Sequence, residues 1–133
     1  MDLKFSISEL CKSNVATKYG IDNTPSIKVC DNLLNLIFYV LQPLRDKLGK
    51  AVIINSGYRS EKLNRHPEIN GVLNSQHLIG AAADIKVNGC KPADLVNYIK
   101  ASGIEFDQLI NEYDKWVHIS YVKGHNRRQV FKY

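Results

Sequence analysis

Apolar positions along the chain change their period several times. Leu33, Leu34, Ile37, Leu41, Leu44 and Leu48 recur at helical spacing. Thr24-Pro25, an N-cap type followed by a proline suited to the first helical position, precedes this run, and Gly49 follows it. The pattern predicts a long core helix. Pro43 lies inside it and removes a backbone donor, so a kink or break is expected near Gln42. Upstream, Ser6-Ile7-Ser8-Glu9 has capping-box spacing and marks the start of a short helix.

After Gly49 the signals shorten. Ala51-Val52-Ile53-Ile54 is apolar and β-branched and runs into Ser56-Gly57, which predicts a buried strand ending at a turn. Residues 56–80 carry Gly57, Gly71, Gly80 and Pro67 among several Asn and Ser, a composition for loops around a site with a short helix at Glu61 to Asn64. Strand character resumes over Ala82 to Val87. Pro92 to Ala101 reads as a helix with Leu95, Val96 and Ile99 on its apolar face and Gly103 closing it. Phe106 to Tyr113 and Trp116 to Val122 flank Asp114-Lys115 as an antiparallel hairpin, and a last strand is expected at Gln129 to Tyr133. With no repeat, linker or regular βαβ alternation, the class is α+β: helices packed on a small, mainly antiparallel sheet in one domain spanning residues 1–133.

Composition narrows the setting. A chain of 133 residues, 44% hydrophobic and 23% charged, can bury roughly two-thirds of its unfolded surface. No run approaches the ~20 apolar residues of a membrane span, so no membrane insertion is expected. Met1 to Ser6 hold no basic segment leading into an apolar core, so synthesis in the cytoplasm without a cleavable signal peptide is expected. The net charge of +5 suits polyanionic surroundings such as nucleic acid or a cell-wall polymer, without separating them. Cys11, Cys30 and Cys90 are odd in number and form no C-x-x-C pair, which favours reduced core thiols over a disulfide framework or a thiolate zinc site.

The chemistry concentrates in Ser75-Gln76-His77-Leu78-Ile79-Gly80-Ala81-Ala82-Ala83-Asp84-Ile85 and, downstream, Trp116-Val117-His118-Ile119-Ser120. His77 and Asp84 flank a turn and can face one another. With His118 they form a set of two imidazoles and one carboxylate suited to zinc, leaving a fourth tetrahedral position open for water. Each residue also has an ordinary reading. A single His near Gly is commonly a surface or hydrogen-bonded residue. Asp84, among alanines and Ile85, must be paired, hydrogen-bonded or metal-bound. Trp116, His118 and Ser120 share a strand face that suits either a mixed sheet surface or a site.

Together, Ser56-Gly57-Tyr58-Arg59-Ser60, Ser75-x-His77-x-x-Gly80-x-Ala82-x-Asp84-Ile85 and Trp116-Val117-His118 resemble the zinc-dependent D-Ala-D-Ala carboxypeptidases and murein endopeptidases, whose fold is shared with the Hedgehog signalling domain. Phe5 to Leu10, the Gly20-Ile21-Asp22-Asn23 turn and Pro43-Leu44-Arg45 resemble the small single-domain branch of phages and prophages. The resemblance implies that His77, Asp84 and His118 bind Zn2+, that Arg59 is the cation near the substrate carbonyl or carboxylate, and that Ser75 and Gln76 line the site. A structural ion pair is the alternative for Arg59. Many family members carry an acid three residues before the last His ligand, and here that position is Lys115. Glu112, in the first arm of the hairpin, is therefore taken as the general base ahead of Asp114, a natural turn former. Tyr58 and Trp116 are candidate walls for a substrate peptide, or core aromatics. His66 and His125 read as exposed loop residues.

The resemblance thus implies a metallopeptidase cutting D-Ala-containing bonds of peptidoglycan stem peptides or cross-bridges through a metal-activated water. It would be an endolysin-like monomer reaching the wall after holin-type release or as a virion component. The alternative is a zinc-stabilised, catalytically idle peptide- or glycan-binding module of the same fold. A metal-dependent nuclease is disfavoured, because acidic residues are interspersed with the basic ones and no phosphate loop or base-stacking motif is present; no nucleic-acid partner is expected.

Overall fold

A computed structural model describes residues 3–133; the reading of Met1 and Asp2 lies outside the described residues. The elements run α1 (Ile7–Leu10), α2 (Asn14–Tyr19), α3 (Ile27–Leu36), a π turn (Ile37–Leu41), α4 (Gln42–Leu48), β1 (Ile53–Ser56), α5 (Glu61–Arg65), a 3-10 turn (Gln76–Ile79), β2 (Ala82–Lys86), α6 (Pro92–Ala101), β3 (Gln108–Glu112), β4 (Trp116–Ser120) and β5 (Gln129–Lys132). The fold is α+β, with a five-stranded sheet in the order β1-β2-β4-β3-β5. All pairings are antiparallel except β3 with β5, which are parallel, so the sheet is mixed at that edge.

The long helical pattern becomes three consecutive pieces. Its N-cap is Ser26, whose Oγ accepts from the Val29 amide at 3.2 Å, two residues later than Thr24-Pro25 suggests. Pro43 cannot donate to the carbonyl one turn back, and the turn before it widens: the Gln42 amide donates to Ile37, five residues away. The expected break is thus a π turn over Ile37–Leu41. Gly49, at φ 65°, closes α4 in the left-handed conformation.

Two elements depart from the sequence expectations. The first strand occupies 53–56 rather than 51–54, and ends in a register shift between Ile54 and Ser56. Helix α2, capped by Ser13 and Gly20, was not foreseen. It packs Ala16 and neighbouring Ile21 on Leu63 of α5 in a small second cluster.

The main core lies between the helices and one sheet face. Leu33, Leu36, Leu41, Leu44, Leu95 and Ile99 meet Ala83, Ile85, Leu109, Val117 and Ile119, all essentially inaccessible. The cysteines are free and half-buried at the margin rather than inside. Burial, with Cys30 nearby, pushes the Cys11 thiol up to about 11, which keeps it protonated and unreactive.

Candidate metal centre

Residues directly opposed in antiparallel strands share a face. Asp84 of β2 faces His118 of β4, His118 faces Ile110 of β3, and Trp116 faces Glu112. These side chains therefore stand on the sheet face opposite the helical core. Ser56 reaches the same face because the irregularity in β1 sets it against Asp84.

His77 arrives from the 3-10 turn. Ser75 begins that turn, its Oγ accepting from the His77 amide at 3.1 Å, and Gly80 ends it at φ 74°. A side chain at Gly80 would also collide with Val29, so only glycine fits this close approach to α3. His77 Nε2 lies 3.3 Å from Asp84 Oδ1, and His118 Nδ1 lies 3.1 Å from the same oxygen. One ligand atom from each of these three buried residues falls within 4.8 Å of the others.

The hydrogen bonds around the three residues test whether they fit a metal. His77 Nδ1 is 2.6 Å from the Gly57 carbonyl, which can only accept, so Nδ1 carries the proton and Nε2 presents a lone pair to Asp84. Burial lowers the His77 pKa and so disfavours a second proton between them. Burial alone would raise the Asp84 carboxyl, but the two imidazoles outweigh it and hold it well below the usual carboxylate range. The result is a converging set of nitrogen and oxygen lone pairs for which a divalent cation is the natural partner. Gly57 itself is compulsory, because a Cβ there would strike the Leu10 carbonyl.

Arg59 holds the outer oxygen. Its NH2 is 3.4 Å from Asp84 Oδ2, its Nε donates to Ser56 Oγ at 3.0 Å and its NH1 to Asn64 Oδ1 at 2.9 Å. Burial pulls the guanidinium below its usual value while Asp84 pulls it back. Asn64 is itself buried and donates to the Val72 carbonyl at 2.9 Å, and a side chain at Gly71 would collide with it. Asn23 ties the segment before α5 to α1, donating to the Cys11 and Tyr58 carbonyls and accepting from the Ser60 amide. The roles of Ser56, Asn64 and Asn23 were missed in the sequence, where loop polar residues carry no mark of what they hold.

Glu112 is half-buried beside this group. Burial and the Asp84 charge raise its pKa, against the opposing pull of His118 and Arg59. Asp114 is elsewhere: it sits at φ 56° in the hairpin turn and exchanges hydrogen bonds with Asn111 at 2.8 and 2.9 Å. Gln76 turns from the cluster toward Asp107, donating at 2.8 Å. Asp107 is held down to about 2 by its hydrogen bonds from Arg127. Tyr58 packs against the main core. Trp116 stands on the site face, and its Nε1 and the Gln76 Oε1 are the buried side-chain polar atoms left unpartnered among the described residues.

No curated protein sequence matches the chain. The sequence model of the Peptidase M15 family does, over residues 3–120, a span that contains His77, Asp84, His118, Arg59 and Glu112. With nearly the whole chain matched and a metal-competent His-Asp-His group inside the match, this protein belongs to the Peptidase M15 family of zinc peptidases.

Proposed function

We propose that the protein hydrolyses D-Ala-containing peptide bonds in peptidoglycan stem peptides or cross-bridges, with His77, Asp84 and His118 as its zinc ligands. The observation that carries this reading is the convergence of three buried donors with an acid, Glu112, on one sheet face. Bound there, zinc supplies Lewis acidity, lowering the pKa of a coordinated water to about 7 and polarising a carbonyl.

The remaining work falls to the chain. Glu112 takes the proton of the attacking water on its carboxylate and passes it to the leaving amine. Its raised pKa makes it a stronger base than an exposed glutamate. Gly57 fixes the His77 tautomer, and Arg59 directs Asp84 Oδ1 toward the imidazoles by holding Oδ2. Arg59 has N–H groups beyond the three already engaged, and these are available to a substrate oxygen. Ser75 shapes the site margin by starting the turn that carries His77, while Trp116, on the site face, offers an aromatic wall to the peptide. The charge of +5 favours dwelling on an anionic wall, reached after holin-type release or from a virion by a monomeric, phage-type enzyme.

Lys115, where many relatives of this type carry an acid, keeps one other reading alive: a zinc-stabilised module that grips peptide without cutting it. Digestion of purified peptidoglycan, read by mass spectrometry with bound metal quantified, separates the two. Wild type should release peptide fragments, His118→Ala should lose metal, and Glu112→Gln should keep metal while cleavage falls about 10²–10⁴-fold. Zinc-loaded wild type that releases nothing from several wall types would establish the binding module.

A further inference from the structure

A cavity lies away from the metal centre. It is a groove of about 760 Å³ along β1, an outer strand of the sheet. Residues 51–56 line one side, and residues 9 and 12–15, on the passage from α1 into α2, line the other. On the side away from β2, the N–H and C=O groups of residues 51–55 have no hydrogen-bond partner among the described residues. An open strand edge is a template for another extended chain. The volume lies within the ~300–1,000 Å³ typical of ligand sites.

Charge selects the occupant. Lys4, Lys12 and Arg45 line the groove against one acid, Glu9, and neither Lys12 nor Arg45 has an ion-pair partner among the described residues. Ser56 closes one end, and its Oγ accepts from Arg59 Nε at 3.0 Å, so the groove leads to the margin of the metal centre.

We propose that this groove binds an extended acidic peptide segment, which pairs with the free edge of β1 as a sixth strand. The segment is the part of the peptide substrate remote from the scissile bond, an assignment that rests on the peptidase reading. β1 is only four residues long, so at about 3.3 Å per residue it registers about four residues of a partner. Main-chain pairing tolerates varied side chains, and the two cations supply the preference for carboxylates. Binding there would spend remote contacts on placing the reacting bond.

The test uses the full-length, zinc-loaded Glu112→Gln protein and the fluorescent peptide Glu-Val-Glu-Val-Glu-Val, with affinity read by anisotropy and the footprint by amide hydrogen exchange. Protection should appear at Ile53 to Asn55. Added to that protein, Lys12→Glu with Arg45→Glu should weaken binding about tenfold, with exposed Lys12→Glu alone giving a smaller loss, and the Lys-Val-Lys-Val-Lys-Val peptide should bind poorly when both cations are intact. The same acidic peptide N-methylated at every residue should not bind, because neither of its edges can donate to β1. Equal binding of the N-methylated peptide, protection confined to residues 75–84, or no binding at millimolar peptide would overturn the proposal. Because neither readout is hydrolysis, a protein that fails to cut peptidoglycan but passes this test loses the peptidase reading and keeps the groove.

Discussion

The two faces of the sheet are built from the same strands and differ in nearly everything else. Ala83, Ile85, Leu109, Val117 and Ile119 form one face and are sealed under the helices. One position along, Asp84, His118 and Glu112 form the other, where charge and metal-competent lone pairs are concentrated. A period of two lets one short strand serve both purposes. The apolar face supplies rigidity, and the polar face, of little use to stability, is held in position by it. Loops deliver what the strands cannot: His77 from a capped 3-10 turn and Arg59 from the segment before α5.

Adjacent residues offer the sharpest way to break this comparison. His118→Ala should lose zinc affinity by more than the roughly 10–100-fold that loss of an outer partner costs, with little change in the thermal midpoint of the metal-free protein. Ile119→Ala, fully buried on the other face, should cost about 2–5 kcal/mol in denaturant unfolding and leave zinc affinity per folded molecule unchanged. If each variant disturbed both properties equally, the faces would not be separable.

Arg59→Lys comes next. A lysine cannot hold Ser56, Asn64 and Asp84 together, so zinc affinity measured by competition should fall about 10–100-fold. Asn64→Ala should give a smaller change in the same direction, because it frees Arg59 NH1 without removing the cation.

The smallest effect concerns Glu112 in the metal-free protein. Its carboxyl should titrate, by carbon-13 NMR, above the ~4.3 of a free glutamate. A raised native pKa means the folded chain holds its proton more tightly than the unfolded one. That contribution to stability is present below the unfolded value and is lost as pH rises through the native value. At neutral pH, Glu112→Gln should therefore unfold at slightly higher denaturant than wild type, and the difference should vanish in acid.

Much of this organisation was written in local patterns. Ser6, Gly49 and Pro92 marked helix ends that the structure keeps, and the Trp116–Ser120 alternation put His118 on the face opposite Val117 and Ile119. The resemblance also picked out the three residues that converge. Helix α2 escaped because Val15 and Thr17 are indifferent helix formers and its stability comes from Ala16, Ile21 and Leu63 meeting across the fold. The shift of β1 to 53–56 escaped for a related reason. Pairing with β2 decides where a strand ends, and apolar content alone does not.

What the sequence by itself determined was the alternation of apolar and polar positions, the caps and breakers, and the inventory of ligating side chains. These are local properties, set by steric and hydrogen-bonding preferences within a few residues. Only the tertiary structure decided that Gly57 would fix the His77 tautomer, that Arg59 would spend itself on Ser56, Asn64 and Asp84, that Gln76 would turn to Asp107, and that β5 would lie parallel to β3. Each depends on groups far apart along the chain, whose polar atoms find partners only once burial has removed water as the competing one.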